Sequence, residues 1–182
     1  SDTLSVNVTI LPRPSAFASL VDDTLNCFKP KVPLLGNSFS PNVGYTWNGR
    51  SGYFSNQQND STGLYLPGNY TVTVTSFTSG CSRTATVSVR LDTIKPNVTL
   101  PAGPYIIPCN PASLLLNGTS TTTPTSLQWY NQAAASNLYT NPHTVTAPGN
   151  YVLLVQNLYN GCENRDTLTA ILNNAVPSVT VT

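Results

Sequence analysis

The chain states one pattern twice. Pro-Gly-Asn-Tyr stands at 67–70 and again at 148–151, and in each copy a Gly-Cys pair closes the following run, with Cys81 eleven residues after Tyr70 and Cys162 eleven after Tyr151. Other landmarks keep the same offset. Cys27 and Cys109 lie 82 apart, as do Trp47 and Trp129, while Pro67 and Pro148, and Pro96 and Pro177, lie 81 apart. Self-similarity at a fixed period constrains the fold more than any composition figure, because each period must build the same unit. A weaker third copy opens the chain. Residues 1–14, SDTLSVNVTILPRP, resemble 165–178, and Asp2 to Asp166 is 164, twice 82. The expected division is therefore 1–12 as the last strand of a preceding unit, full units at 13–95 and 96–177, and the start of a following unit at 178–182.

Within a period the hydrophobic pattern has the strand period of two. In NYTVTVTSF, Tyr70, Val72 and Val74 share one face while Thr71, Thr73 and Thr75 share the other. RTATVSVRL alternates likewise, and Thr78-Ser79-Gly80 between the runs marks a hairpin. AFASLV, KVPLLG, VGYTWNG and GLYL come earlier, each bounded by Pro, Gly, Asn or Asp. NQAAASN (131–137) is the one helix candidate, and it is short and poorly bounded. About seven short strands in a period of roughly 82 residues predict an all-β chain of tandem immunoglobulin-like β-sandwiches. In that fold a Tyr after a corner turns its hydroxyl back onto the preceding backbone, which gives Tyr70 and Tyr151 the tyrosine-corner role. Trp47 and Trp129, at equivalent points of the third strand, take core positions.

Two cysteines fall in each period. Zinc ligands come in close pairs such as C-x2-C, and these cysteines are more than fifty residues apart. The expectation is one disulfide per unit, Cys27 to Cys81 and Cys109 to Cys162, each worth about 4 kcal/mol by chain entropy and lasting only outside a reducing cytoplasm.

At these residues the chain resembles the repeat units of very large surface adhesins of the Bacteroidota, including the SprB-type gliding-motility adhesins exported by the type IX system. The resemblance is carried by Tyr45-Thr46-Trp47, 68–75, Gly80-Cys81 and 84–89, and in the second unit by Leu127-Gln128-Trp129, Gly149-Asn150-Tyr151 and Gly161-Cys162. It implies a structural stalk or spacer segment on the extracellular cell surface. The implied partners are neighbouring repeats of the same chain and a surface polysaccharide or substratum. Five of six aspartates begin Asp-Ser/Thr triplets. These are similar to the O-glycosylation signal on exported Bacteroidota proteins, which would mark Thr3, Thr24, Ser61, Thr93 and Thr167. The Asn69 and Asn97 sequons would matter only in a eukaryotic secretory protein.

Charge and chemistry narrow the alternatives. With 8% charged residues and a net charge of +1, the chain offers no basic field for nucleic acid, and no apolar run of about 18 residues inserts into a membrane. One glutamate, Glu163, and one histidine, His143, have no counterpart in the other unit, so no enzyme and no cofactor are expected. Asp22-Asp23 falls far short of a calcium ligand set. Lys29, Lys31 and Lys95 do not match between units, which argues against isopeptide crosslinks. Two other readings remain: a carbohydrate- or surface-binding module using Tyr53, Tyr130, Tyr139 or Tyr159, and accessory domains of a secreted enzyme.

Overall fold

A computed structural model of the chain describes residues 3–64, 66–134 and 137–173. It divides into two compact units, Ser1–Asp92 and Thr93–Thr182. The segment 178–182, expected to begin a further unit, lies outside the described residues.

The first unit holds β1 (Phe17–Leu20), β2 (Thr24–Asn26), β3 (Val32–Asn37), β4 (Val43–Gly49), β5 (Phe54–Ser55), β6 (Asn59–Leu64), β7 (Gly68–Ser76) and β8 (Ser82–Asp92), with a 3-10 turn at Arg50–Gly52. One sheet has the order β1-β3-β6 and the other β2-β8-β7-β4-β5. All pairings are antiparallel except β2 with β8, where Thr24, Leu25 and Asn26 face Arg90, Leu91 and Asp92 in parallel. The period-two pattern decides which residues turn inward. Tyr70, Val72 and Val74 of β7 meet Val32 and Leu34 of β3, with Trp47, Leu25 and Val89 completing the buried cluster. Each such aliphatic side chain contributes about 1.5–3 kcal/mol on leaving water. On the outer face the Thr71 and Thr86 hydroxyls are 2.8 Å apart and those of Thr75 and Ser82 2.9 Å apart, cross-strand pairs that keep this surface polar without charge.

The second unit holds β9 (Ile106–Ile107), β10 (Leu114–Leu116), β11 (Thr125–Asn131), β12 (Tyr139–Thr140), β13 (His143–Val145), β14 (Gly149–Asn157) and β15 (Glu163–Leu172). Its large sheet, β12-β11-β14-β15-β9, has the same order as that of the first unit, again with one parallel edge, Ile106 and Ile107 beside Ile171 and Leu172. Its other sheet is reduced to β10-β13. The counterpart of β1 survives as a single bridge between Thr99 and Thr119. Pro101 has no N–H to donate to a ladder, which is why pairing stops there. NQAAASN contains a 3-10 turn at Gln132–Ala134, with the remainder of that stretch reaching beyond the described residues. Both units are thus immunoglobulin-like sandwiches. Residues 3–11 form no strand, and Leu4, Val6, Val8 and Ile10 are 75% to 92% exposed.

Candidate functional site at the ends of the sandwiches

Both tryptophans are fully buried, and each is tied down by a polar node. Trp47 Nε1 donates to the Gln58 backbone carbonyl at 3.2 Å. The same carbonyl accepts the Gly36 N–H, and Gln58 Nε2 returns a bond to the Gly36 carbonyl at 3.0 Å. In the second unit one side chain does all of this. Asn141 Oδ1 accepts from Trp129 Nε1 at 2.8 Å and from Gly118 N at 2.9 Å, while its Nδ2 donates to the Gly118 carbonyl at 2.9 Å. Gln58 and Asn141 are functional core residues that sequence reasoning missed. The available signal was an amide residue eleven or twelve positions after each tryptophan.

Tyr70 Oη donates to the Leu66 carbonyl at 2.8 Å, and Tyr151 Oη to the Ala147 carbonyl at 2.8 Å, each four residues back across the corner. Burial pushes the Tyr70 phenol above its ordinary pKa. Replacing Tyr70 with Phe should destabilise the first unit by about 1 kcal/mol, because the Leu66 carbonyl loses its donor while the ring stays packed. A denaturation midpoint unchanged by the substitution would contradict that bond.

Tyr53 packs edge-on against Tyr70, with ring centroids 5.3 Å apart, and its hydroxyl donates to the buried Asp60 carboxylate. It is therefore not an exposed sugar platform. Burial, then the Asp60 carboxylate, push the Tyr53 phenol well above its usual range. A folded-state pKa above the unfolded value, about 10, gives stability that is complete below pH 10 and lost as pH rises beyond it. Raising the pH from 9 to 11.5 should accordingly lower the Tm of the native sequence more than that of Tyr53→Phe.

The cysteines correct the expected pairing. Cys27 and Cys162 are disulfide-bonded, whereas Cys81 and Cys109 carry free thiols. Neither Cys27–Cys81 nor Cys109–Cys162 is formed, and the sheet register explains why. Cys27 follows β2, whose last residue, Asn26, sits beside Asp92 at the end of β8, while Cys81 precedes Ser82 at the other end of that strand. Ten residues of strand separate the two ends, about 33 Å at the usual rise. Cys109 likewise lies just past Ile107, which pairs with Leu172, and Cys162 just before Glu163, about 30 Å away along β15. A disulfide needs Cα atoms within about 7 Å.

Each sandwich therefore has a leading-end cysteine in the β7–β8 or β14–β15 turn and a trailing-end cysteine after its parallel edge strand. Both turns are built alike. The Cys81 carbonyl accepts from Ser76 N and the Cys162 carbonyl from Asn157 N, and Gly80 and Gly161 hold the left-handed φ of 69° and 74° that the turn requires. Cys81 N donates to Ser79 Oγ, Cys162 N to Asn160 Oδ1.

The other singled-out residues are dispersed. Thr3, Ser61, Thr93 and Thr167 are exposed, but the half-buried Thr24 spends its hydroxyl on Asp23 at 2.7 Å. Asp22 pairs with Lys29 and accepts the Thr24 N–H, and the Lys29 hydrogen bond holds its carboxyl below the ordinary range. The aspartate pair thus fixes the passage from β1 to β2. His143 stacks on Tyr139 at 4.1 Å, and Glu163 pairs with Arg165 at 2.8 Å. Tyr130 is half-buried and Tyr159 projects from the β14–β15 turn. Among the described residues no group of three or more His, Cys, Asp or Glu converges as a metal site would require, and no helix is long and apolar enough to cross a membrane.

No family model and no curated protein matches this chain. Among solved structures it is similar to the three N-terminal domains of the bacteriophage RB49 highly immunogenic outer capsid protein, at 13% identity and a TM-score of 0.43, covering 88% of this chain and 59% of that one. It is also similar to the amphioxus IgVJ-C2 molecule, at 14% identity and a TM-score of 0.34, covering 84% of this chain and 94% of that one. A third likeness is to the human OSCAR ligand-binding domain, at 15% identity and a TM-score of 0.32, covering 87% of this chain and 98% of that one. The chain spans only about three-fifths of that three-domain phage chain. All three TM-scores lie below 0.5, and the immunoglobulin-like assignment rests on strand order and register.

Proposed function

We propose that this chain is a spacer segment of an exported bacterial surface adhesin, built from tandem sandwich repeats and serving adhesion or gliding motility. The observation that carries the reading is that each sandwich clamps the chain segment leading into it. In the first unit Ser15 Oγ accepts the Phe39 N–H at 2.8 Å, and Ser38 Oγ donates to the Ser15 carbonyl at 2.7 Å. At the equivalent place in the second unit, Asn97 Oδ1 accepts the Thr121 and Thr122 N–H groups, both at 2.9 Å. Asn160 Nδ2 donates to the Ile94 carbonyl and Asn164 Nδ2 to the Pro96 carbonyl, both at 2.9 Å. A leading segment fixed in this way, and stiffened by Pro96, suits a part whose work is to hold a length. The cystine fits an oxidising, extracellular compartment. Exposed Thr3, Ser61, Thr93 and Thr167 are the O-glycosylation acceptors this reading favours.

Solution scattering on chains of one, two and three copies tests it. A spacer lengthens in proportion to the number of sandwiches, whereas a flexible string lengthens as about the square root. Square-root growth would overturn the spacer. A surface-binding module would instead bind polysaccharide through Tyr139 and Tyr159 on a glycan array.

A further inference from the structure

We propose that the second sandwich holds a cleft for a tyrosine side chain of a partner protein, at the place where the first sandwich seats its own Tyr53. The inference goes beyond the spacer reading and does not depend on it.

The two units show the same place once filled and once open. In the first, four residues surround Tyr53. The Gly49 N–H donates to the Tyr53 carbonyl at 3.1 Å, and the Ser55 side chain adjoins the Tyr53 phenol. The buried Asp60 carboxylate accepts the phenol O–H, and the Tyr70 ring meets Tyr53 edge-on at 5.3 Å. Sheet register supplies the equivalent of each in the second unit. Asn131 pairs with Tyr151 as Gly49 pairs with Tyr70. Tyr139 faces Trp129 as Ser55 faces Trp47. His143 faces Leu116 as Asp60 faces Leu34, and those leucines are 82 residues apart. The four equivalents, Asn131, Tyr139, His143 and Tyr151, line an open cleft of about 250 Å³.

The missing part is the ring. Asn137 stands two residues before Tyr139, as Tyr53 stands two before Ser55. Its N–H donates to the carbonyl three residues back, Ala134, at 3.2 Å, as the Tyr53 N–H does to Arg50 at 3.1 Å. Asn137 is exposed and carries no ring to place in the cleft.

The lining suits a phenol. Tyr151, tied through its hydroxyl to the Ala147 carbonyl at 2.8 Å, offers the edge-on partner that Tyr70 gives Tyr53. His143 stands where Asp60 accepts the hydroxyl. Burial lowers its pKa, so at neutral pH the imidazole is uncharged and keeps one acceptor nitrogen. A pyranose would need an open aromatic face to stack on. Here Tyr139 and His143 cover each other, with centroids 4.1 Å apart and 11° between the ring planes.

Titration of the intact chain with N-acetyltyrosinamide, followed by NMR, tests the proposal. The amide signals of Asn131, Tyr139, His143 and Tyr151 should shift together, with a Kd of about 1–10 mM for so small a probe. N-acetylphenylalaninamide should bind at least about tenfold more weakly, because it brings no donor to His143. In His143→Phe, which keeps a ring against Tyr139, the two probes should bind alike. Asn137→Tyr should abolish binding, since the chain then seats its own ring, and should raise the Tm of the second sandwich. Equal affinity of the native chain for the two probes would overturn the proposal. So would the absence of shifts at these residues up to about 50 mM probe, unchanged binding in Asn137→Tyr, or tighter binding of methyl glucoside at the same residues. None of these outcomes bears on the scattering result, so the spacer reading is judged separately.

Discussion

Replacing Asn141 with Leu should cost the second sandwich about 3 kcal/mol or more and leave the first sandwich unchanged. The side chain serves a fully buried indole N–H and both backbone groups of Gly118. An apolar replacement strands a donor where water cannot reach it, at about 1–3 kcal/mol, and forfeits two further bonds of about 1 kcal/mol each. Gln58→Ala in the first sandwich should cost only about 1 kcal/mol. There Trp47 is held by a backbone carbonyl that the substitution leaves in place, and only the Nε2 bond to Gly36 is lost. Calorimetry of the reduced chain reads both changes, one transition moving far and the other slightly. Equal losses at the two sites would contradict the assignment of the node to a side chain in one unit and to backbone in the other.

Gly49→Ala should be the most damaging single-methyl change in the first sandwich, at about 3 kcal/mol. A Cβ there would lie 2.1 Å from Tyr70 Cδ1 and 2.5 Å from Cε1. The ring has nowhere to retreat, being buried, stacked edge-on with Tyr53 and tied through its hydroxyl to Leu66. Gly80 is the control. A Cβ there meets nothing within 4 Å, so Gly80→Ala pays only for a left-handed φ of 69°, about 1–2 kcal/mol. Chemical denaturation of the two variants should rank Gly49→Ala as the less stable. The reverse order would mean that the corner tyrosine is free to shift.

What could be read from the sequence was whatever depends on one strand at a time. The alternation around Tyr70 names the inward face, and the recurrence of Trp47 at Trp129 names a shared core position, because side-chain direction follows the backbone period alone. The cysteines failed because their distance depends on how two remote strands run. Cys27 sits beyond a short edge strand that runs parallel to β8, so it is carried to the far end of the sheet from Cys81. Nothing local in the Thr24–Asn26 strand distinguishes parallel from antiparallel pairing. β6 starts at Asn59, four residues before the GLYL run that signalled it, because its opening Asn-Asp-Ser is polar and gives no hydrophobic signal. Residues 3–11 alternate like a strand, yet they form none in the described structure, since alternation specifies a face and a sheet must supply the partner.

Force extension of the intact chain, held by its two ends, tests the central claim of a spacer that keeps its length under tension. Under reducing conditions the chain should extend in two discrete steps, one for each of the units Ser1–Asp92 and Thr93–Thr182. Each step should release about 250–280 Å, at 3.3–3.6 Å per residue of folded sandwich. A smooth lengthening at low force, with no such steps, would contradict the account.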